Sequence, residues 1–98
     1  LKQHPHIDAI VCASDLIAIG VLRALRDSNI PIPDQIAVVG FDNVPVAGFA
    51  TPALTTVKQD TILAGEILVD SLLKLIEGEK VEHYLMPVDL VIRQSSGA

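Results

Sequence analysis

Ile36-Ala37-Val38-Val39-Gly40-Phe41-Asp42 is an unbroken apolar run that ends on a glycine and then on a carboxylate. A short β-branched run bounded by turn signals reads as a buried strand, and continuous apolarity favours a parallel sheet covered on both faces. Asp42 then stands at the carboxyl end of the strand, where open α/β sheets collect their ligands. A carboxylate there accepts hydrogen bonds from hydroxyls or amines. The residues alone therefore point to a site for a small polar molecule.

Working outward toward the amino terminus, Pro33 and Pro31 form a stiff connection, and Ser28-Asn29 ends a helix expected over Asp15 to Asp27. Ser14 is a good N-cap, and Asp15 in the first turn suits the positive end of the helix. Leu16, Ile17, Ala18, Ile19, Val21, Leu22, Ala24 and Leu25 make an apolar arc wider than one sheet contact requires. Its second flank is expected to meet another subunit or a further part of the chain. Asp8-Ala9-Ile10-Val11-Cys12 reads as another short buried strand, preceded by a polar loop, Lys2 to His6, broken by Pro5.

Toward the carboxyl terminus, residues 42–53 read as a loop with one helical turn near Val46–Ala50, and Leu54-Thr55-Thr56-Val57 as a strand. The longest helix spans about Thr61 to Glu77, capped by Asp60 or Thr61 and closed by Gly78. On it Glu66, Asp70, Lys74 and Glu77 form a polar stripe opposite Ile62, Leu68, Val69, Leu72, Leu73 and Ile76. One or two strands, Glu82–Met86 and Asp89–Arg93, follow around Pro87, and Gln94–Ala98 is expected to fray. The order β-α-β-loop-β-α-β gives an α/β class with a three-layer parallel sheet. The strands are few for a sheet covered on both faces. The chain opens on Leu1, so we expect a fragment of something longer, with upstream residues completing the core.

Composition narrows the function. The chain has 98 residues, is half apolar with only 3% aromatic, and carries a net charge of -5 without a basic cluster. That disfavours direct contact with nucleic acid or an anionic membrane. No apolar run reaches the ~18 residues of a membrane span. Cys12 stands alone and in an apolar strand, where it reads as a small hydrophobe rather than a nucleophile. His4 and His6 have no third ligand nearby, and His83 reads as surface, so no metal is expected. Phe41 and Phe49 read as core or interface. Asp15 and Asp42 could form an acid/base or metal pair at neighbouring strand ends. Without a nucleophile, phosphate loop or third metal ligand, we expect neither catalytic residues nor a cofactor.

Taken together, Ala13-Ser14-Asp15, Ala18-Ile19-Gly20, Leu22-Arg23-Ala24-Leu25, Ile30-Pro31-Ile32-Pro33, Val38-Val39-Gly40-Phe41-Asp42 and Pro52-Ala53-Leu54-Thr55-Thr56-Val57-Lys58-Gln59-Asp60 closely resemble the lactose/galactose-repressor family of transcriptional regulators. The likeness continues through Glu77-Gly78-Glu79 and Met86–Arg93, so it spans about residues 7 to 95. It implies the C-terminal part of a bilobal, periplasmic-binding-protein-like domain that holds an effector between its lobes. On that basis residues 1–57 belong to the C-terminal lobe, 58–60 cross between lobes, 61–81 pack on the N-terminal lobe, and 82–98 return as strand and tail.

The resemblance also implies site residues. Asp42 matches the family carboxylate that binds effector hydroxyl or ring-nitrogen groups, and Ser14 a position often held by Asn. Gln59 lines the cleft, and Thr61 falls where some sugar-responsive members carry an aromatic ring. Asp15, judged by capping preference and not by the resemblance, reads first as a helix-terminus residue and second as a further ligand contact. Ile17, Val21, Leu22, Val46 and Phe49 match a dimer surface. The implied partners are a sugar or related polar metabolite, a second copy of the chain, and DNA through an upstream helix-turn-helix, in the cytoplasm and away from membranes. The alternative is the solute-binding protein of a sugar transport system.

Overall fold

The computed structural model describes residues 3, 4 and 6–97, so Leu1 before the expected polar loop Lys2 to His6, Lys2 and Pro5 within that loop, and Ala98 of the tail lie outside the described residues. Four strands and two α-helices follow one another as β1 (Ala9–Val11), α1 (Asp15–Asp27), β2 (Ala37–Val39), β3 (Thr56–Gln59), α2 (Thr61–Ile76) and β4 (Val88–Val91). Short 3₁₀ turns lie at Pro45–Phe49 and Gln94–Ser96. Two compact units result: residues 1–58 with 90–98, and residues 59–89.

In the first unit β1 and β2 run parallel, with Ile10 opposite Val38. A further parallel bridge joins Val39 to Thr55, and Gly40 donates its backbone N–H to Thr55 O at 2.9 Å. The segment expected as a strand from Leu54 thus pairs with β2, but its regular part begins at Thr56, and β3 and β4 form a two-stranded sheet. The central run is buried on one face, at Ile36, Val38 and Gly40, and half-buried at Ala37, Val39 and Phe41. That is alternation rather than the expected burial on both faces. β1 departs further, because Ala9 and Val11 are exposed and only Ile10 turns partly inward.

The core consists of Cys12, Ala18, Leu22, Leu25, Ile36, Val38, Ala47 and Leu54. Helix α1 contributes Ala18, Leu22 and Leu25, together with Asp15, at the spacing of one helical face. Leu22 is therefore a core residue and not part of an outer dimer surface, which corrects that expectation. Ile17, Val46 and Phe49 are exposed and Val21 is half-buried. Burial also pushes the Cys12 thiol above its ordinary pKa, as an apolar surrounding does to a group that would become charged.

The tail departs from expectation as well. Glu82–Met86 is not a strand; it has no ladder partner among the described residues, and Leu85 is almost fully exposed. Residues 94–97 do not fray. Ser95 is completely buried, donating its hydroxyl to Val38 O at 2.6 Å and accepting Thr55 N–H at 2.8 Å. A hydroxyl thus stands between two parallel strands where their ladder would otherwise leave a donor and an acceptor unmade. A polar sequence marks solvent only when no buried backbone group needs its hydroxyls.

In the second unit α2 is capped by Asp60, which accepts Leu63 N–H at 3.0 Å, and ends before Gly78 at a positive φ of 80°. None of its residues is buried. Ile62, Leu68, Val69, Leu72, Leu73 and Ile76 are all more than half exposed. The polar stripe carries an exposed Lys74–Asp70 ion pair at 3.2 Å, an arrangement that contributes little to stability.

Candidate functional site

Three chain segments converge at the carboxyl ends of the parallel strands of the first unit. Asp15 donates its backbone N–H to Phe41 O at 2.9 Å, and Asp42 donates to Val57 O at 2.9 Å. The start of α1, the exit of β2 and the start of β3 are thereby fixed side by side. Asp42 is exposed at this rim. The geometry agrees with a sheet mouth of the kind that holds small polar ligands.

The backbone beyond β2 is unusual. Asp42 has φ 112° and Asn43 has φ 56°, two successive non-glycine residues on the positive side. Such conformations cost on the order of 1–3 kcal/mol each and persist only where the surroundings determine them, most often at functional sites. Here Asn43 N–H donates to Thr56 Oγ1 at 3.2 Å and Val44 N–H to Asp15 Oδ2 at 2.8 Å. Arg93 Nη2 donates to Asn43 Oδ1 at 3.0 Å while its Nη1 donates to Leu54 O at 2.9 Å. Each backbone N–H from Asp42 to Val44 therefore has a partner.

Asp15 supplies the centre of this arrangement. Its side chain is completely buried, and Thr56 Oγ1 donates to its Oδ1 at 2.6 Å. Both carboxylate oxygens are thus engaged inside the protein, at the positive end of α1. That corrects the expectation of Asp15 as a ligand contact: the first-turn position turns the side chain inward, away from the rim. Gly40 is required beside it, because a Cβ there would collide with Asp15 Oδ1 and meet Leu54 Cδ2 at 3.0 Å. The constraint is close approach, not a special φ.

The remaining candidates stand as follows. Ser14 is half-buried and its Oγ caps α1 by accepting Ile17 N–H at 3.3 Å. Gln59 closes β3, half-buried, and Thr61 opens α2, exposed; both belong to the second unit. His4, His6 and His83 are exposed, and no group of three metal-ligating side chains occurs among the described residues. A separate cavity of about 340 Å³, lined by Arg26, Ile30, Ile32 and Pro52 among others, lies by segments that lead into β2 and β3, away from their carboxyl ends.

Sequence reading missed Asn43, Thr56 and Arg93. An Asp-Asn pair after a strand signals tolerance of positive φ, and a Thr-Thr pair in an apolar strand signals buried hydroxyls seeking partners. Arg93 lies 50 residues from Asn43 and gave no local signal.

A family model for the periplasmic binding protein-like domain matches residues 1–96. The lactose operon repressor of Rhizobium radiobacter is 41% identical over 90 residues, which cover 91% of this chain and 80% of that protein. The lactose operon repressor of Escherichia coli is 39% identical over 89 residues, covering 90% of this chain but 25% of the relative. Among solved structures, a complex of the transcriptional regulator CelR with cellobiose superposes with a TM-score of 0.85 at 38% identity, covering 97% of this chain and 30% of that one. A Lac repressor dimer bound to operator and the anti-inducer ONPF does so with a TM-score of 0.85 at 37% identity, covering 99% and 34%. Apart from the Rhizobium radiobacter repressor, the chain spans about a third or less of the length of these relatives. The chain belongs to the periplasmic binding protein-like domain family, as ligand-binding domain sequence of the lactose-repressor type of transcriptional regulator.

Proposed function

We propose that this chain is the effector-sensing part of a DNA-binding transcriptional regulator, and that it takes a sugar or related polar metabolite in a cleft between two lobes of the intact protein. Asp42 is the principal contact, accepting hydrogen bonds from effector hydroxyls. Ser14, Gln59 and Thr61 are the further candidates for the cleft. The observation that carries the reading is the pair of positive φ angles at Asp42 and Asn43, held from three segments at the carboxyl end of a parallel sheet. Relatives named for lactose, ribose and cellobiose supply the ligand class.

Ile17, Val46 and Phe49, apolar side chains that a monomer would leave in water, form the self-association surface together with the half-buried Val21. DNA is met through a helix-turn-helix elsewhere in the regulator, since this acidic segment has no basic cluster. The protein works in the cytoplasm and carries out no catalysis. Among the described residues no helix is long and apolar enough to cross a membrane. The apolar face of α2 packs against another part of the regulator.

A thermal-shift screen of the intact regulator with lactose, ribose and cellobiose tests the reading. A ligand that binds only the folded state raises the melting temperature by mass action. The expected result is a shift with at least one sugar that disappears in Asp42→Ala. A shift of equal size in that variant would remove Asp42 from the site.

A further inference from the structure

We propose that Asp15 is a positioning residue: its buried carboxylate, working with the Thr56 hydroxyl, holds the Asp42-Asn43 turn in the positive-φ conformation that sets the direction of Asp42. The proposal rests on Asp42 as the effector contact and adds the device that aims it.

The two carboxylate oxygens do different jobs. Oδ2 accepts Val44 N–H at 2.8 Å, one residue past the turn. Oδ1 accepts the Thr56 hydroxyl at 2.6 Å, and the same Oγ1 accepts Asn43 N–H at 3.2 Å. Orienting the Thr56 hydrogen toward Asp15 leaves an oxygen lone pair free to face Asn43. One buried charge thereby fixes two consecutive amides, one directly and one through a hydroxyl. Burying a carboxylate is costly unless its hydrogen bonds are complete, and a folded core does not require one at this position. Its backbone belongs to the first turn of α1, so the turn and the helix are one mechanical piece.

The arrangement also explains Gly40, the neighbour whose missing Cβ makes room for Oδ1. Arg93 completes the clamp from the other side through Asn43 Oδ1. A purely structural role for Asp15 would spread the effect of its loss over the core. A positioning role confines it to residues 42–44.

Hydrogen exchange by mass spectrometry on the intact, ligand-free regulator separates the two. In Asp15→Asn, peptides covering residues 41–47 should exchange about tenfold faster or more, the equilibrium change that goes with one charge-assisted hydrogen bond. Peptides covering β1 and the last two turns of α1 should keep their wild-type rates. Thr56→Val should speed exchange in the same peptides, and Thr56→Ser, which keeps the hydroxyl, should restore it. Unchanged exchange at 41–47, or acceleration throughout the first unit, overturns the proposal. If Asp15→Asn does not fold, the Thr56→Val and Thr56→Ser pair decides alone. The readout needs no effector, so failure of Asp42→Ala to lose a sugar-induced thermal shift would sink the site while leaving the turn-holding result standing.

Discussion

Helices α1 and α2 have nearly the same local credentials and opposite fates. Each is opened by a side-chain cap, Ser14 onto Ile17 N–H and Asp60 onto Leu63 N–H, and each carries a basic residue in its last turn. Yet α1 buries Asp15, Ala18, Leu22 and Leu25, while α2 buries nothing. Capping and propensity decide that a helix forms; a helix becomes part of a core only when a complementary surface faces it. In the first unit the surface is the β2 run and Leu54. No residue of α2 is buried against such a surface among the described residues.

The largest effect that could break this contrast lies at Leu22. It is 3% exposed, so Leu22→Ala should cost about 2–5 kcal/mol of stability in urea unfolding of the intact regulator. A loss below 1 kcal/mol would mean that the α1 face is not core. Leu72 on α2 sharpens the other side. If its face is covered in the intact regulator, Leu72→Ala should cost about 2 kcal/mol or more there. No cost would mean that α2 is solvated in the whole protein too.

Smaller effects probe the contacts between strands. Ser95→Ala leaves Thr55 N–H and Val38 C=O without their shared partner, and should cost about 1–3 kcal/mol by the same unfolding measurement. Gly40→Ala should cost about 1–3 kcal/mol by overpacking against Asp15 and Leu54. The smallest effect concerns Cys12. Its thiol stays protonated in the fold above the range where an unfolded thiol ionises, so stability contributed by this group is present below that range and falls as pH rises through it. Alkylation by iodoacetamide at pH 8 should therefore be far slower in the folded protein than in urea, and equal rates would place Cys12 in solvent.

What the residues revealed and what they concealed follow a physical line. Helix α1, Asp15–Asp27 with its cap at Ser14, was legible to the residue because caps and periodicity are local. The parallel pairing of β1 and β2 followed from apolar runs joined by a helix. Leu22 was misplaced because an arc of eight apolar residues does not say which flank faces the sheet. Ser95 was misjudged because its partners, Val38 and Thr55, are 57 and 40 residues away. The same distance in sequence concealed Arg93. Asp42 was conspicuous at the end of its strand, whereas the inward turn of Asp15 depended on the hydroxyl of Thr56, 41 residues on.

Asp42 as the grip on the effector is the claim from which the others descend. Calorimetric titration of the intact regulator with a panel of mono- and disaccharides, comparing wild type with Asp42→Ala, tests it most directly. The account predicts that one sugar binds wild type and that its affinity drops about tenfold or more in the variant, as loss of a charge-assisted hydrogen bond requires. The same affinity in both proteins would contradict it.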